Sequence, residues 1–316
     1  MKTRFMLFRT HLSWLAVLVC VLASACSTQP GNQRSMYRGF NSPDSLHAYL
    51  LAKGGRPGLI SAHRGGPEPG YPENALDTFE HALTFAPCII ECDVRETRDG
   101  NLVLMHDSTL DRTSTGQGEV ERSDLADLRG LFLRDPAGGI TSSRIPTLGE
   151  TLEWARGRCI LTLDVKAARI LPGVLSAIDR YDARGYAVVI TYSHEQALLA
   201  HRMDPRVVIS ASASSLSSLD RLLNLGIPET RLVVFVGTRE PEPQVYARLA
   251  DKGIPAILGT MNRLDRLARL RGGRVYRSLI RNGADILSTD HVWRVARSLE
   301  NHHSSGTGPS SGEKKR

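Results

Sequence analysis

Three carboxylates and a lysine stand where two apolar segments of the chain come to an end. Glu91 and Asp93 lie late in one segment, and Asp164 and Lys166 close another. Side chains alternate along a β-strand, so residues two positions apart share one face. Three carboxylates on neighbouring strands supply the oxygen ligands that Mg²⁺ and Ca²⁺ prefer. The spacing is equally consistent with a buried ion-pair network around Lys166.

Two histidines follow other apolar segments. His63 stands next to Arg64 after the first such segment of the body of the chain, and His106 follows a later one. Imidazole exchanges a proton near neutral pH, so two histidines can serve as general acid and general base. Arg64 and Lys166 beside a divalent cation match a phosphoryl group, whose developing charge must be stabilised. These residues favour phosphodiester cleavage, although a single histidine at a strand end is more often structural.

The elements that must position these residues alternate between short apolar segments and amphipathic ones. This alternation is typical of a parallel sheet covered by helices. We predict nine strands, at 59–62, 88–94, 102–105, 159–165, 187–191, 207–211, 232–236, 255–258 and 285–288.

The connection between the second and third predicted strands is unusually short. It contains the turn signal Asp99-Gly100, and a parallel crossover needs about a dozen or more residues. The strand at 102–105 is therefore expected to pair antiparallel with the strand at 88–94. The remaining eight can close a barrel of about 250 residues. We expect an α/β protein with a (β/α)8 TIM-barrel fold and a small insertion after the second strand, with a doubly wound open sheet as the alternative.

Three helix starts can be placed from their capping residues. Asn74 is expected to be the N-cap of a helix at 75–85. Thr147 with Glu150, and Ser193 with Gln196, have the spacing of capping boxes.

The N-terminus has the pattern of an export signal. Basic residues precede an apolar run at 12–25, which is shorter than the about 20 residues that span a bilayer. Its end, Leu22-Ala23-Ser24-Ala25-Cys26, resembles a bacterial lipoprotein signal, in which the cysteine is acylated. We expect a signal peptide at 1–25, lipid on Cys26, a polar tether at 26–45, a barrel at 46–300 and a disordered tail at 301–316.

These features predict an exported protein of the cell envelope that is attached to the membrane by a lipid anchor, on the periplasmic side in a Gram-negative cell. Cleavage after Ala-Ser-Ala by an ordinary signal peptidase, giving a soluble product, is the alternative reading.

The formal charge of +7 is concentrated at the two ends of the chain, so no nucleic-acid partner is expected. One internal stretch is strongly basic. Its arginines are expected to form a solvated helix face, with contact to lipid headgroups as the alternative; they are Arg263, Arg266, Arg269, Arg271, Arg274, Arg277 and Arg281.

Cys88 and Cys159 each lie five residues before a candidate ligand, Asp93 or Asp164. If those ligands are level on adjacent strands, the two cysteines come within disulfide range. The alternative, which is the favoured one, is that they are small buried core residues.

Several short motifs, densest over 60–166, occur in an order that resembles the glycerophosphodiester phosphodiesterase family. They are His63-Arg64-Gly65, Pro72-Glu73-Asn74, Glu91-Cys92-Asp93-Val94, Asp99-Gly100, His106-Asp107, Asp111-Arg112-Thr113, Ile145-Pro146-Thr147-Leu148 and Thr289-Asp290. The resemblance implies a barrel fold, a divalent cation (Mg²⁺ or Ca²⁺) and hydrolysis of glycerophosphodiesters to glycerol 3-phosphate and an alcohol.

The resemblance also implies a role for each matched residue. His63 and His106 correspond to the acid–base pair, and Arg64 and Lys166 to the phosphate-binding residues. Glu73 is expected to orient the site. The metal ligands implied are Glu91, Asp93 and Asp164. At position 164 the family usually has Glu, and the shorter Asp puts the choice or affinity of the ion in question.

Two other functions remain open at this point. A phospholipase of the C or D type would use similar residues on lipid substrates. An envelope lipoprotein that binds glycerophosphoryl groups without catalysis would retain part of the site.

Overall fold

The computed structural model describes residues 40–51 and 58–300. The expected signal peptide, Cys26, most of the tether and the tail at 301–316 lie outside the described residues. Within these two ranges, no helix is both long and apolar enough to cross a membrane.

Parallel strands close into a barrel, because the first strand (Leu59–Ala62) pairs with the last (Ile286–Thr289) on one side and with the second (Ile89–Glu96) on the other. The predicted (β/α)8 fold is thereby confirmed. The barrel strands are β1 (Leu59–Ala62), β2 (Ile89–Glu96), β6 (Leu161–Val165), β7 (Ala187–Thr191), β8 (Val208–Ser212), β9 (Leu232–Phe235), β10 (Ala256–Gly259) and β11 (Ile286–Thr289).

Helices surround this barrel and bury an apolar layer against the outward-facing side chains of the strands. In chain order they are α2 (Leu76–Phe85), α4 (Leu148–Ala155), α5 (Leu171–Arg180), α6 (His194–Met203), α7 (Leu216–Leu223), α8 (Pro243–Lys252), α9 (Arg263–Arg271), α10 (Arg274–Arg281) and α11 (Val292–Glu300). Two short helices, α9 and α10, therefore fill the connection between β10 and β11.

Helix α1 (Pro43–Leu50) lies at the amino-terminal rim of the barrel. Its Leu46 and Leu50 pack with apolar residues from the first part of the strands, such as Ile89. His47 is also buried there, and its ring hydrogen-bonds to the carbonyl of Leu232 at 3.1 Å. Helix α1 begins within the range expected for the tether, and Phe40, which precedes it, already packs against the same apolar cluster.

The insertion after β2 is larger than the sequence patterns indicated. It contains β3 (Leu102–Leu104), which pairs antiparallel with β2 as predicted, and α3 (Leu125–Arg129). It also contains an antiparallel hairpin that was not predicted, made of β4 (Phe132–Arg134) and β5 (Ile140–Arg144). The insertion has its own apolar cluster, which includes Met105, Leu128 and Ile145.

Two local predictions need correction. The N-cap of α2 is Ala75. Asn74 has a positive φ of 59° and turns its side chain toward β2 instead. Cys88 and Cys159 are buried free thiols, so the disulfide considered between them is absent and the alternative of small core residues describes them.

The other two helix starts follow the patterns seen in the sequence. Thr147 and Glu150 form a reciprocal capping box at the start of α4. Ser193 caps α6, but the side chain of Gln196 accepts from the N–H of Tyr192 rather than that of Ser193.

Candidate active site

The carboxyl-terminal rim of the barrel brings three acidic side chains together. Asp93 of β2 is paired in register with Asp164 of β6, and Glu91 lies two residues before Asp93 on the same strand face. One oxygen from each carboxylate lies within 4.8 Å of the other two. All three residues are buried. The convergence expected from the sequence is therefore present.

Burial and mutual repulsion control the ionisation of this cluster. Burial, and then the charge of Asp93, raises the pKa of Glu91 to about 8. Burial also opposes ionisation of Asp93, but its partners Lys166 and Asn74 outweigh this and lower its pKa. Full ionisation of the three carboxyls is therefore opposed at neutral pH unless further positive charge is supplied at the cluster.

The residues present fit a hard divalent cation. Asp164 Oδ1 is buried and has no hydrogen-bond partner, and an unpaired buried acceptor costs about 1–3 kcal/mol. A cation bound by this atom and by oxygens of Glu91 and Asp93 would remove that cost and reduce the repulsion. Oxygen donors without sulfur or imidazole suit Mg²⁺ or Ca²⁺ rather than zinc.

Lys166 lies against the same cluster. Its Nζ is 2.7 Å from Asp93 Oδ1 and 2.6 Å from Asp164 Oδ2, with a longer contact of 3.5 Å to the hydroxyl of Tyr192. The Tyr192 hydroxyl donates to Asp164 Oδ2 at 2.5 Å. The ion-pair network considered from the sequence therefore exists, and it leaves Asp164 Oδ1 available for a further ligand.

Each candidate histidine is oriented by an aspartate. His63 Nδ1 lies 2.7 Å from Asp290 Oδ1, and His106 Nδ1 lies 2.7 Å from Asp107 Oδ1. A carboxylate at Nδ1 fixes the ring and leaves Nε2 available for proton transfer. Burial alone would lower the pKa of His63, but the bond to Asp290 and the charge of Glu91 raise it.

Arg64 connects His63 to the acidic cluster. It has a positive φ of 52°, and its backbone N–H donates to Glu91 Oε2 at 2.7 Å. Its guanidinium binds Glu73 through Nη1 at 3.2 Å. Its buried Nε has no hydrogen-bond partner and lies 3.8 Å from Asp93 Oδ2, which is an ion-pair distance. Arg64 therefore holds Glu91 by its backbone and keeps one buried donor available.

Glu73 and Arg112 join the two halves of the site. Arg112 donates to both carboxylate oxygens of Glu73, at 2.9 and 2.8 Å. It also donates to Asp107 at 2.6 and 2.9 Å, and this contact holds the pKa of Asp107 well below its usual value. Glu73 thus links the loop after β1, through Arg112, to the aspartate that orients His106.

The side chain of Asn74 holds Asp93 in place through two hydrogen bonds. Its amide Nδ2 donates to Asp93 Oδ2 at 2.7 Å, and its Oδ1 accepts from the backbone N–H of Asp93 at 2.9 Å. The left-handed backbone of Asn74 places the amide there; asparagine tolerates this conformation better than most residues.

Two cavities open at this rim. A cleft of about 670 Å³ is lined by His63, Arg64, Glu73, Arg112 and Asp290, and by the tip of the β4–β5 hairpin at 134–138. A second recess of about 460 Å³ begins at Tyr192 and extends along the ends of β8 and β9 to Phe235. The insertion therefore supplies one wall of the candidate active site.

Every candidate residue from the barrel sequence lies at this rim, including His106, whose neighbour Met105 donates its backbone N–H to the Asp93 carbonyl. Cys26 lies outside the described residues. Sequence reasoning assigned no role to Asp107, Arg112, Asp290 or Tyr192. The first three belong to the ordered motifs, so their presence there could have indicated a role in the site. No spacing in the sequence indicated the contact between Tyr192 and Asp164.

These features define a (β/α)8 barrel protein that has, at its carboxyl-terminal rim, an acidic cluster able to hold a cation and two histidines oriented by aspartates. Residues 63–272 match the model of the glycerophosphoryl diester phosphodiesterase family. The chain belongs to this family.

Individual relatives agree with this membership. A glycerophosphodiester phosphodiesterase of Caldanaerobacter subterraneus is 32% identical over 158 residues, which are 48% of this chain and 65% of the relative. The chain therefore spans less than two thirds of that relative's length.

Solved structures extend the match over the barrel. A glycerophosphoryl diester phosphodiesterase from Parabacteroides distasonis is 32% identical, with a TM-score of 0.77 over 83% of this chain and 93% of the other. A phosphodiesterase from Oleispira antarctica, solved in complex with the product sn-glycerol-3-phosphate, has a TM-score of 0.61 at 20% identity, over 77% of this chain and 96% of the other. The second likeness shows the fold alone.

Proposed function

We propose that this protein hydrolyses glycerophosphodiesters to sn-glycerol 3-phosphate and an alcohol. The observation that carries the proposal is the convergence of Glu91, Asp93 and Asp164 at one rim, next to His63 and His106. Membership of the glycerophosphoryl diester phosphodiesterase family supports it, as does the product bound to the Oleispira antarctica relative.

One divalent cation, Mg²⁺ or Ca²⁺, is the cofactor that the site would hold, with Glu91, Asp93 and Asp164 as ligands. The unpaired Asp164 Oδ1 supports this assignment. When bound, the ion supplies Lewis-acid polarisation of the phosphoryl group. The shorter Asp164 is held toward the cluster by Tyr192 and Lys166, which offers a structural compensation for the missing methylene.

The positive side chains bind and orient the phosphate. The buried Nε of Arg64 has no hydrogen-bond partner and lies 3.8 Å from Asp93 Oδ2, so it can donate to a phosphate oxygen bound beside Asp93. Lys166 keeps Asp93 and Asp164 in place and can exchange its long contact with Tyr192 for a phosphate oxygen. Glu73 fixes the guanidinium of Arg64, so its role is to position the phosphate-binding group.

The two histidines move the protons. The Nε2 atom of one imidazole accepts the proton of the attacking group, which is a glycerol hydroxyl of the substrate or a water. The Nε2 atom of the other imidazole donates a proton to the departing alkoxide. Asp290 and Asp107 hold the two rings and stabilise the imidazolium form. If water attacks, its P–O bond forms as the P–O bond to the alcohol breaks, which gives glycerol 3-phosphate directly. If the glycerol hydroxyl of the substrate attacks, the alcohol leaves from a cyclic phosphate, and a water then opens the ring by breaking one of its P–O bonds.

Each of the two cavities binds one end of such a diester substrate. The cleft beside Arg64 and Glu73 holds the glycerophosphate part. The recess beyond Tyr192, which Ser212 and Ser214 line with hydroxyl groups, holds the alcohol. Both are open to water, which favours a water-soluble diester over a lipid with long acyl chains.

The test is release of sn-glycerol 3-phosphate from glycerophosphocholine by the purified full chain. Activity should disappear with a chelator and return when Mg²⁺ or Ca²⁺ is added. His63→Ala and His106→Ala should each reduce turnover by about 100-fold or more without unfolding the protein. A variant that retains normal turnover would remove that histidine from the mechanism.

A substrate panel separates the alternatives. Faster cleavage of lysophospholipids than of glycerophosphodiesters would identify a phospholipase of the C or D type. Saturable binding of glycerophosphocholine without product release, with the cation present, would identify a binding lipoprotein.

We also propose that the protein is exported and anchored in the cell envelope by lipid on Cys26. The order of basic residues, apolar run and Leu22-Ala23-Ser24-Ala25-Cys26 supports this proposal. Mass spectrometry of the mature N-terminal peptide tests it directly. An unmodified N-terminus at Cys26 would identify a soluble product.

A further inference from the structure

A basic pocket lies between α9, α10 and α11, on the flank of the barrel. It has a volume of about 360 Å³, and Arg269, Arg277, Arg294 and Arg297 line it together with Trp293. It shares no lining residue with the catalytic cleft. No acidic residue lines it, so its charge is strongly positive.

The positive charge of this region is not balanced locally. Nine arginines fall between positions 263 and 297, against three aspartates. None of the nine forms an ion pair with a carboxylate of the described residues, whereas on nearby helices Arg248 pairs with Asp220 and Lys252 with Glu229. The single aspartate of α9, Asp265, is buried and accepts from the hydroxyls of Tyr276 and Thr289. It is therefore engaged elsewhere.

The pocket is built by close packing of α10 against α11. A Cβ at Gly273 would lie 2.6 Å from Ser298 Oγ, so glycine allows the first turn of α10 to approach α11. Arg277 is fixed by a 2.9 Å bond from Nη1 to the Ser298 carbonyl. Arg294 lies over the ring of Trp293 at 4.4 Å, and its Nε is buried without a hydrogen-bond partner.

An oxyanion would satisfy this buried donor. Guanidinium groups that are fixed and unpaired bind phosphate through several parallel hydrogen bonds. The partial positive charge of the α10 N-terminus, which lines the pocket through Gly273, adds to theirs. The chemistry of the pocket is therefore that of a phosphate-binding site.

Apolar side chains on the helices that form the pocket indicate where the phosphate comes from. Leu270, between Arg269 and Arg271, is 77% exposed, the highest value among the large hydrophobic residues described as exposed. Trp293 is only half-buried. Basic residues accompanied by an exposed Leu and a half-buried Trp are typical of surfaces that lie on a membrane, whereas a site for free phosphate needs no exposed leucine.

We propose that this pocket binds the phosphate of an anionic phospholipid headgroup and holds the flank formed by α9–α11 against the membrane surface. This interaction is independent of the catalytic proposal. It would fix how the barrel is oriented at the membrane surface, because the pocket and the catalytic cleft are lined by different residues.

The experiment is hydrogen exchange on the full chain reconstituted with vesicles of phosphatidylcholine, with or without phosphatidylglycerol. Phosphatidylglycerol should slow exchange in α9–α11 by about tenfold when the lipid is at ten times its apparent Kd. The double variant Arg269→Gln/Arg297→Gln should lose this protection. The matched control is Arg202→Gln/Arg221→Gln, which removes two exposed arginines from α6 and α7 and should keep it.

Three results would overturn the proposal. One is equal protection with phosphatidylcholine alone, and another is equal loss in both double variants, which would reflect net charge only. The third is protection by soluble glycerol phosphate but not by vesicles, which would assign the pocket to a free phosphate compound.

Discussion

Asn74 offers the sharpest test of how the acidic cluster is supported. Asn74→Ala removes the hydrogen bond to Asp93 Oδ2 and the acceptor of the Asp93 N–H. A hydrogen bond to a charged group contributes about 1.5–3 kcal/mol, and an unsatisfied buried donor costs about 1–3 kcal/mol. Alanine at a φ of 59° adds about 1 kcal/mol. Allowing for relaxation, we expect the free energy of unfolding to fall by about 3 kcal/mol.

Urea unfolding in the presence of a chelator measures this loss without a contribution from bound cation. Asn74→Gly separates the two causes, because glycine removes both hydrogen bonds but accepts the positive φ. It should be more stable than Asn74→Ala by about 1 kcal/mol.

Asn282 provides a matched control. Its amide donates to Glu240 Oε1 at the same distance of 2.7 Å, but at an exposed position. Asn282→Ala should change the free energy of unfolding by less than about 0.5 kcal/mol. An equal decrease in the free energy of unfolding in the two alanine variants would refute the conclusion that burial makes the Asn74–Asp93 contact important for stability. A decrease below about 1 kcal/mol for Asn74→Ala would refute it as well.

Two further predictions concern the cluster itself. The pKa of Glu91 is raised to about 8 from an ordinary value of 4.5, so the folded protein binds the Glu91 proton more tightly than the unfolded chain does. The free energy of unfolding without cation should therefore fall as pH rises from about 5 to 8. The raised pKa of His63 acts in the same direction. Thermal unfolding against pH should show this decline in chelator and a weaker one with Mg²⁺ or Ca²⁺, and a flat profile in chelator would contradict it. Tyr192→Phe removes the hydroxyl that holds Asp164 and should raise the cation concentration for half-maximal activity by about tenfold, with little change in stability; an unchanged cation requirement would make the contact incidental.

The barrel was predictable because its signals are local and repeated. Apolar segments alternated with amphipathic ones, and the short Asp99-Gly100 connection identified the antiparallel strand. The convergence of the candidate ligands was predictable too, since alternation on a strand places Glu91 and Asp93 on one face, and the strand register then aligns Asp93 with Asp164.

The parts that sequence could not supply depend on long-range contacts. The β4–β5 hairpin packs through the separate cluster around Met105 and Leu128, and its strands are only three and five residues long. Asn74 is a residue type that is preferred at the N-cap. Its side chain instead donates to Asp93, on a strand further along the chain, and so does not cap α2. The Tyr192–Asp164 contact joins two strands and has no sequence pattern.

The position of α1 has a topological consequence for access to the candidate site. This helix covers the amino-terminal end of the barrel, where Leu46 and Leu50 pack with the first residues of the strands, whereas the acidic cluster lies at the carboxyl-terminal end. The helix therefore leaves the candidate site uncovered, and a solute can approach the cluster from the end of the barrel opposite to α1.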